Sequence, residues 1–545
     1  MRLPLLLLFN FLIGAAPSGA ADDPTTIALA AVRPAALEAH VRFLADDLLE
    51  GRGTGSRGHE IAARYVAAQF AALGLEPAGD QGTFFQSVPL RQSEVIPEAG
   101  TLELTLGGRP IPLTPGRDFV LWPSLARESG EVSAQVVYVG FGVSAPELGY
   151  DDYAGVDVKG KIALILAGAP GSFPNDAHAF YSSLQLKTQV AAAKGAVAVL
   201  RFNSPSEEKR VPFAKIAERA GQPAMTWVSE TGVPDGVPAE LAAAAFLSSS
   251  GAEALFSGAP RSLPEVFDAA RASRPASFAW PLQAHLKVVC RHALLRSPNV
   301  LAILRGSDPA QSREYVVLSA HLDHLGIGAP RDGDSIYNGA YDNASGTAGI
   351  LEIAQALTRL PRPPRRSILF AAVTAEEKGL IGAEYFASHP TVPEGSIVAD
   401  LNMDMFLTLY PLKDIVAFGG EHSSLGKVVG DLATKVGLEM APDPFPEEVL
   451  FIRSDHFPFV KKGIPAVMLS PGLKSTDPAV NGGEVMRRWV ATRYHSPQDD
   501  MSQPMDFGEA ARIARLYLLI AESVADTPKR PSWVPGDFFG TRFAP

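Results

Sequence analysis

The sequence predicts an α/β protein, and three observations carry that expectation. From about residue 290 onward, short apolar runs (EYVVLSA, RSILFAAV, GSIVADLNMD, DIVAFGG, IPAVMLS) alternate with stretches whose apolar residues recur at helical spacing. Alternation of this kind builds a sheet layered with helices. The run SILFAAV is apolar without interruption after its serine, as expected of a strand covered on both faces. A separate unit spans about residues 130–275, with its own strand-like runs VSAQVVYVGFGV, KGKIALILAG and AVAVLRF.

The elements follow in order. MRLPLLLLFNFLIGAAPSGAADDP joins Arg2 to an apolar run and then to small residues, the pattern of a secretory signal peptide, with cleavage expected after Ala20. The run is shorter than the ~20 residues that span a bilayer, and no later segment reaches that length without charges or breakers. Secretion or a periplasmic location is therefore expected. Residues 33–75 carry helical periodicity up to a stop at Gly74, and the glycine-rich LLEGRGTGSRG reads as a structural turn. In the middle unit LQLKTQVAAAKG predicts a helix, and an Ala-rich helix is expected after PAMTWVSE. Asp151, Asp152 and Asp157 lack calcium-loop spacing and read as a solvated turn. Beyond it, RPPRR reads as a polar turn, while SGTAGILEIAQALTRL, the stretch after Leu380, SSLGKVVGDLATKVG and FGEAARIARLYLLIAESVA predict helices. The tail from Pro528 reads as an irregular strap.

Composition excludes several classes. The chain of 545 residues is 46% apolar and 20% charged, enough for sizeable cores. Its formal charge of -11 argues against a nucleic-acid partner, which needs clustered Lys and Arg. The single cysteine, Cys290 in LKVVCRH, excludes an intrachain disulfide and a cysteine-rich zinc finger, and reads as a buried strand residue.

Ligands of open α/β sheets sit beyond the carboxyl ends of the strands. There the sequence has His321-Leu322-Asp323-His324, Asp342 before a helix, Glu376-Glu377, Asp404, Ser454-Asp455-His456 and Tyr494-His495. Carboxylates crowded at one edge repel and carry a desolvation cost. Divalent cations offset both, and a carboxylate–imidazole donor set suits zinc, or less selectively cobalt or manganese.

The series SAHLDH, YNGAYDNASG, TAEEKGLIGAEYF, NMDM and YHSPQDD resembles, in order, the motifs of the M28 family of co-catalytic zinc peptidases. The resemblance covers about residues 33–125 and 280–527, and the middle unit resembles the protease-associated (PA) domain inserted in such enzymes. It implies a mixed central sheet sandwiched by helices with an inserted β-rich α+β PA domain. The expected organisation is a signal peptide (1–20), an N-terminal part of the peptidase domain (21–128), a PA-like insert (129–278), the catalytic domain (279–527) and a tail (528–545). The resemblance also implies two Zn2+ ions, with Co2+ or Mn2+ as substitutes. His321 and Asp404 would hold one ion, Glu377 and His495 the other, and Asp342 would bridge them. Asp323 would hydrogen-bond His321 and fix its tautomer. Glu376 would be the general base toward a metal-bound water, and Tyr494 would stand where the family helps stabilise the oxyanion.

The two adjacent glutamates then divide the labour, since a metal ligand is a poor proton acceptor. Other residues read as ordinary structure: His324 as a structural histidine, Asp499 and Asp500 as a solvated turn, and His422 as a surface neighbour of a helix cap. Asp455 and His456 fit either a pocket wall or a loop. The implied function is a dizinc aminopeptidase acting on peptides. The alternatives are a glutaminyl cyclase, a carboxypeptidase using Arg453, and a binding or receptor protein on the same scaffold. The intact His321 and the inserted unit argue against the cyclase.

Overall fold

The apolar runs become strands because they are covered on both sides. In the computed structural model, which describes residues 24–274, 277–406 and 408–544, the peptidase sheet contains β1 (Phe85–Val95), β2 (Phe278–Leu304), β3 (Tyr315–His321), β4 (Ser367–Val373), β5 (Ile397–Asn402), β6 (Asp414–Phe418) and β7 (Ala466–Pro471). Their spatial order is β1–β2–β4–β3–β5–β7–β6. β4, β3, β5 and β7 are mutually parallel, while β2 joins β4 and β6 joins β7 antiparallel, so the sheet is mixed. β3, β4 and β5 are buried along their whole length.

Alternation sends the two faces of each strand into different cores. Val316, Leu318 and Ala320 of β3 face one hydrophobic cluster, together with Ile368, Phe370 and Ala372 of β4. Tyr315 and Val317 face the opposite one, with Leu369, Ala371 and Val373. Helices α1 (Pro34–Leu44), α2 (Arg57–Ala72), α3 (Ser345–Leu357) and α4 (Phe507–Asp526) contribute to the first cluster. Helices Ile381–Ser388 and His456–Val460 contribute to the second. α2 starts at Ser56, whose side chain accepts from the His59 N–H, and ends before Gly74 at φ 73.

The inserted unit has its own sheet, in which Ile162–Leu166, Ala198–Phe202 and Ala243–Leu247 run parallel. The 27-residue strand β2 links the units. Its residues 278–289 pair with Ser129–Tyr138, and residues 290–300 pair with β1. Cys290 is buried at the crossover, as expected for an inert strand cysteine. The Ala-rich run after PAMTWVSE is not the expected helix. It supplies strand Ala243–Leu247, and helix Ser249–Phe256 follows. Helix propensity is a weak prior, and pairing on both sides with Ala198–Phe202 and Phe119–Trp122 overrides it. Asp152 is likewise no solvated turn. It is fully buried, accepting from the Tyr150 hydroxyl at 2.8 Å and the Val143 N–H at 3.1 Å.

The tail straps the units together. Trp533 Nε1 donates to the Gly463 carbonyl at 2.9 Å. His422, expected at the surface, is 2% exposed, with Nδ1 2.6 Å from the Asp537 carboxylate of the tail. Its other nitrogen lies 3.8 Å from Asp176 of the inserted unit. Its partners come from segments distant in sequence, which the local motif GGEHSS does not reveal. The expected signal peptide, 1–20, lies outside the described residues. Among those residues no helix is long and apolar enough to cross a membrane.

Candidate active site

β3 ends at His321, and its imidazole marks the centre of the site. Nε2 lies 3.2 Å from Asp342 Oδ1 and 3.3 Å from Asp404 Oδ1. The other Asp342 oxygen lies 3.1 Å from His495 Nε2, which is itself 3.3 Å from Glu377 Oε2. Asp342 thus faces a group on each side, one carboxylate oxygen toward each. The side chains of His321, Asp342 and Glu377 are 1%, 4% and 4% exposed, whereas His495 is 28% exposed. The site therefore opens past His495.

Second contacts hold these groups. The Asp499 carboxylate accepts from the backbone N–H groups of Tyr341 and Asp342, both at 3.0 Å, and from Gln503 Nε2. Asp499 is fully buried, which corrects the expectation of a solvated turn there. Its backbone partners, Tyr341 and Asp342, lie more than 150 residues away, so the sequence around YHSPQDD does not reveal them. The Ser454 hydroxyl donates to Asp404 Oδ2 at 2.5 Å and accepts from Asn402 Nδ2 at 2.7 Å. Tyr494 stacks on His495 with ring centroids 3.8 Å apart. Asp400 is buried with its Oδ1 accepting from Ser319. Asp455 and His456 are both fully buried and their side-chain polar atoms have no hydrogen-bond partner among the described residues, while the Asp455 carboxylate is close enough to the site to raise Glu376.

The turn LLEGRGTGSRG hides a clamp that the sequence did not disclose. Arg52 is 1% exposed and donates to the carbonyls of Leu322 (2.9 Å), Asn338 (2.6 Å), Gly339 (2.9 Å) and Leu44. The Leu322 carbonyl lies within His321–His324, and those of Asn338 and Gly339 lie just before Asp342. One guanidinium thereby ties together the two loops that supply these residues.

Asp323 departs from expectation in one respect. His321 Nδ1 pairs with the backbone carbonyl of Asp323 at 3.0 Å, not with its carboxylate. The carboxylate instead accepts from the Glu376 N–H at 3.0 Å and from the Thr54 hydroxyl at 2.9 Å. The turn leaving β3 brings the carbonyl under the ring and sends the side chain toward β4. The tautomer of His321 is still fixed by this residue, through its main chain. Between β4 and the glutamates, Ala375 sits at φ 57, in the left-handed region, a backbone state found at functional turns.

Electrostatics separate the two glutamates. Desolvation and the carboxylates of Glu377, Asp455 and Asp404 raise Glu376 well above the usual range, against a lowering by His321. Burial also acts to raise Glu377, but His495 and His324 outweigh it and hold that carboxyl below its usual range. Burial lowers His495, yet Glu377 and Asp342 carry it up to about 10. His321 is likewise raised by Glu376, Asp404 and Asp342 despite its burial. Buried carboxylates neutralised by histidine protons are a donor set in which a cation replaces those protons. Two triads fit a metal ion, His321 with Asp342 and Asp404, and His324 with Asp342 and Glu377, each with ligand atoms within 4.8 Å of one another. Asp342 belongs to both, and Glu377 Oε1 has no hydrogen-bond partner. The residues present therefore fit a pair of zinc ions.

The model of peptidase family M28 matches residues 299–521, and that of the PA domain matches residues 132–248. A probable zinc metalloprotease of Leptosphaeria maculans is 28% identical over 267 residues, covering 44% of this chain and 59% of the relative. Leupeptin-inactivating enzyme 1 of Streptomyces exfoliatus is 28% identical over 219 residues, covering 38% of this chain and 44% of the relative. The chain thus spans about half the length of these curated relatives. The solved aminopeptidase from Aneurinibacillus sp. strain AM-1 aligns with 94% of this chain and 99% of its own, with a TM-score of 0.54 and 21% identity, a likeness of fold.

Proposed function

We propose that this chain, which belongs to peptidase family M28 and carries an inserted PA domain, is a secreted or periplasmic dizinc aminopeptidase. The observation that carries the reading is Asp342 shared between two metal-binding groups, with Glu376 beside them. His321 and Asp404 would hold one zinc, Glu377 and His495 the other, and Asp342 would bridge. Bound zinc supplies Lewis acidity toward water and the scissile carbonyl.

The chain's own groups do the rest. Glu376 accepts a proton from the attacking water at a carboxylate oxygen and delivers it to the leaving amine. Burial is the first cause that raises Glu376, and the Glu377 and Asp404 carboxylates add to it; neutralising those two would ease their share and favour the ionised, proton-accepting form. The Asp323 carboxylate holds the Glu376 main chain, and the Tyr494 hydroxyl donates to the tetrahedral oxyanion. A free substrate amine suits the acidic rim. Arg453, the candidate for a C-terminal carboxylate, contacts Glu448 at 3.4 Å, which favours the aminopeptidase over the carboxypeptidase.

The test is hydrolysis of matched peptides with free and acetylated N-termini, both ends followed by mass spectrometry, with zinc-loaded enzyme and the Glu376→Gln variant as blank. Stepwise N-terminal loss from free peptides alone is expected. The variant should keep its zinc and lose several orders of magnitude in turnover. C-terminal loss from both peptides would move the assignment to carboxypeptidase.

A further inference from the structure

We infer that His324 is an additional imidazole ligand of the ion held by Glu377 and His495, so that three histidines serve the metal pair. This rests on the metal-site reading above. His324 is fully buried, with Nδ1 2.8 Å from Glu377 Oε1 and 3.9 Å from Asp342 Oδ2. The short contact lacks hydrogen-bond geometry: Nδ1, Nε2 and Glu377 Oε1 are all buried without a hydrogen-bond partner among the described residues. An orphaned buried polar atom costs about 1–3 kcal/mol; both ring nitrogens of His456 are orphaned too, but at His324 a carboxylate oxygen that is itself unpartnered stands 2.8 Å from one of them. Two donor atoms that converge without a proton aligned between them are the arrangement a cation resolves. Donor atoms about 2.0–2.1 Å from a tetrahedral zinc stand roughly 3.3 Å apart, within the range of the contacts observed.

The ring is also held in place. Gly339 has φ +60, and a Cβ there would meet His324 Cγ at 2.5 Å. The ring thus occupies space that only glycine leaves open. The His324 N–H donates to the Arg52 carbonyl at 3.2 Å, and the Arg52 guanidinium donates to the Gly339 carbonyl at 2.9 Å. The His324 and His495 rings stand edge to face with centroids 5.8 Å apart, and His495 is on the exposed side. His324 is then the inner, rigid ligand of that ion and His495 the outer one. The two positions of the pair are then unequal in their donor sets.

The test has two parts. In wild-type protein loaded with Co2+, each coordinated imidazole gives one exchangeable, hyperfine-shifted ring N–H proton resonance. Three such resonances are expected, and two would overturn the inference without relying on any variant. In equilibrium dialysis, His324→Ala and His324→Gln should each weaken one of the two zinc affinities by more than the roughly 10- to 100-fold that loss of an outer-shell partner costs and leave the other unchanged. Glutamine can hydrogen-bond Glu377 but is a poor zinc ligand, so full recovery of affinity in His324→Gln would also overturn the inference. Wild-type protein that binds no zinc would bring down the metal-site reading itself, and this inference with it. Two zinc ions with two imidazole resonances would leave that reading standing.

Discussion

The Glu376 N–H donates to the Asp323 carboxylate at 3.0 Å, joining the end of β3 to the turn after β4. The pair is the direct link between the histidine that starts the site and the glutamate proposed as its base. Asp323 is fully buried and its second oxygen is taken by Thr54, so the carboxylate has no freedom to follow a displaced Glu376.

Asp323→Ala should therefore misplace the base without emptying the site. The expected result is a fall in kcat of about 100-fold, on the order of what small displacements cost a positioned catalytic group. Two zinc ions per chain should remain by elemental analysis. Loss of metal instead of turnover would show that the carboxylate acts mainly on His321.

Zinc binding should release protons. His495 is raised to about 10 and His321 well above its usual value, so both hold protons near neutrality in the metal-free site and lose them on ligating. Apparent zinc affinity should then rise with pH through the neutral range. Calorimetry in buffers of different ionisation enthalpy measures the number released, and a buffer-independent heat would contradict the donor assignment. Zinc should also raise the melting temperature, and increasingly so as its free concentration exceeds the dissociation constant.

Arg52→Ala should destabilise the fold by about 3–5 kcal/mol, because it leaves several buried carbonyls unsatisfied. Arg52→Lys should recover only part of that loss, since an ammonium does not reproduce the planar fork. Denaturant midpoints check the stability. The same variants should bind zinc more weakly, because the clamp ties the loop of His321–His324 to that of Asp342.

Acid stability should depend on two buried histidines. His59 and His456 are lowered to about 3, chiefly by desolvation, and in His59 also by Arg52. Each is neutral when folded, while the unfolded chain takes up a proton near pH 6.5. Their contribution to stability is present above about 6.5 and falls as pH drops from there toward 3. The loss is about 1.4 kcal/mol per pH unit for each group. His59→Asn should flatten the decline of stability between pH 6 and pH 4, as read from denaturant melts. An unchanged slope would mean that the folded protein protonates His59.

The alternating strands and helices were legible because periodicity is local: β3, β4 and β5 read directly from their apolar runs. The residues that meet in the site were legible too, because strand ends and short motifs carry them. What tertiary structure decided are the relations across distance. Arg52 reaches Leu322 and Gly339 over more than 250 residues, and nothing in a glycine-rich turn announces a buried guanidinium. Asp499 looked like a solvated turn until the Tyr341 and Asp342 amides closed on it. An alanine-rich run became a strand because strands distant in sequence pair with it on both sides. His324 looked like an ordinary core histidine until Gly339 and Glu377 were seen around its ring. Sequence determines which side chains stand at the strand ends, because period and turn chemistry are written within a few residues. Their partners, orientation and charge state belong to the folded chain, because burial and contact arise only when segments hundreds of residues apart exclude water together.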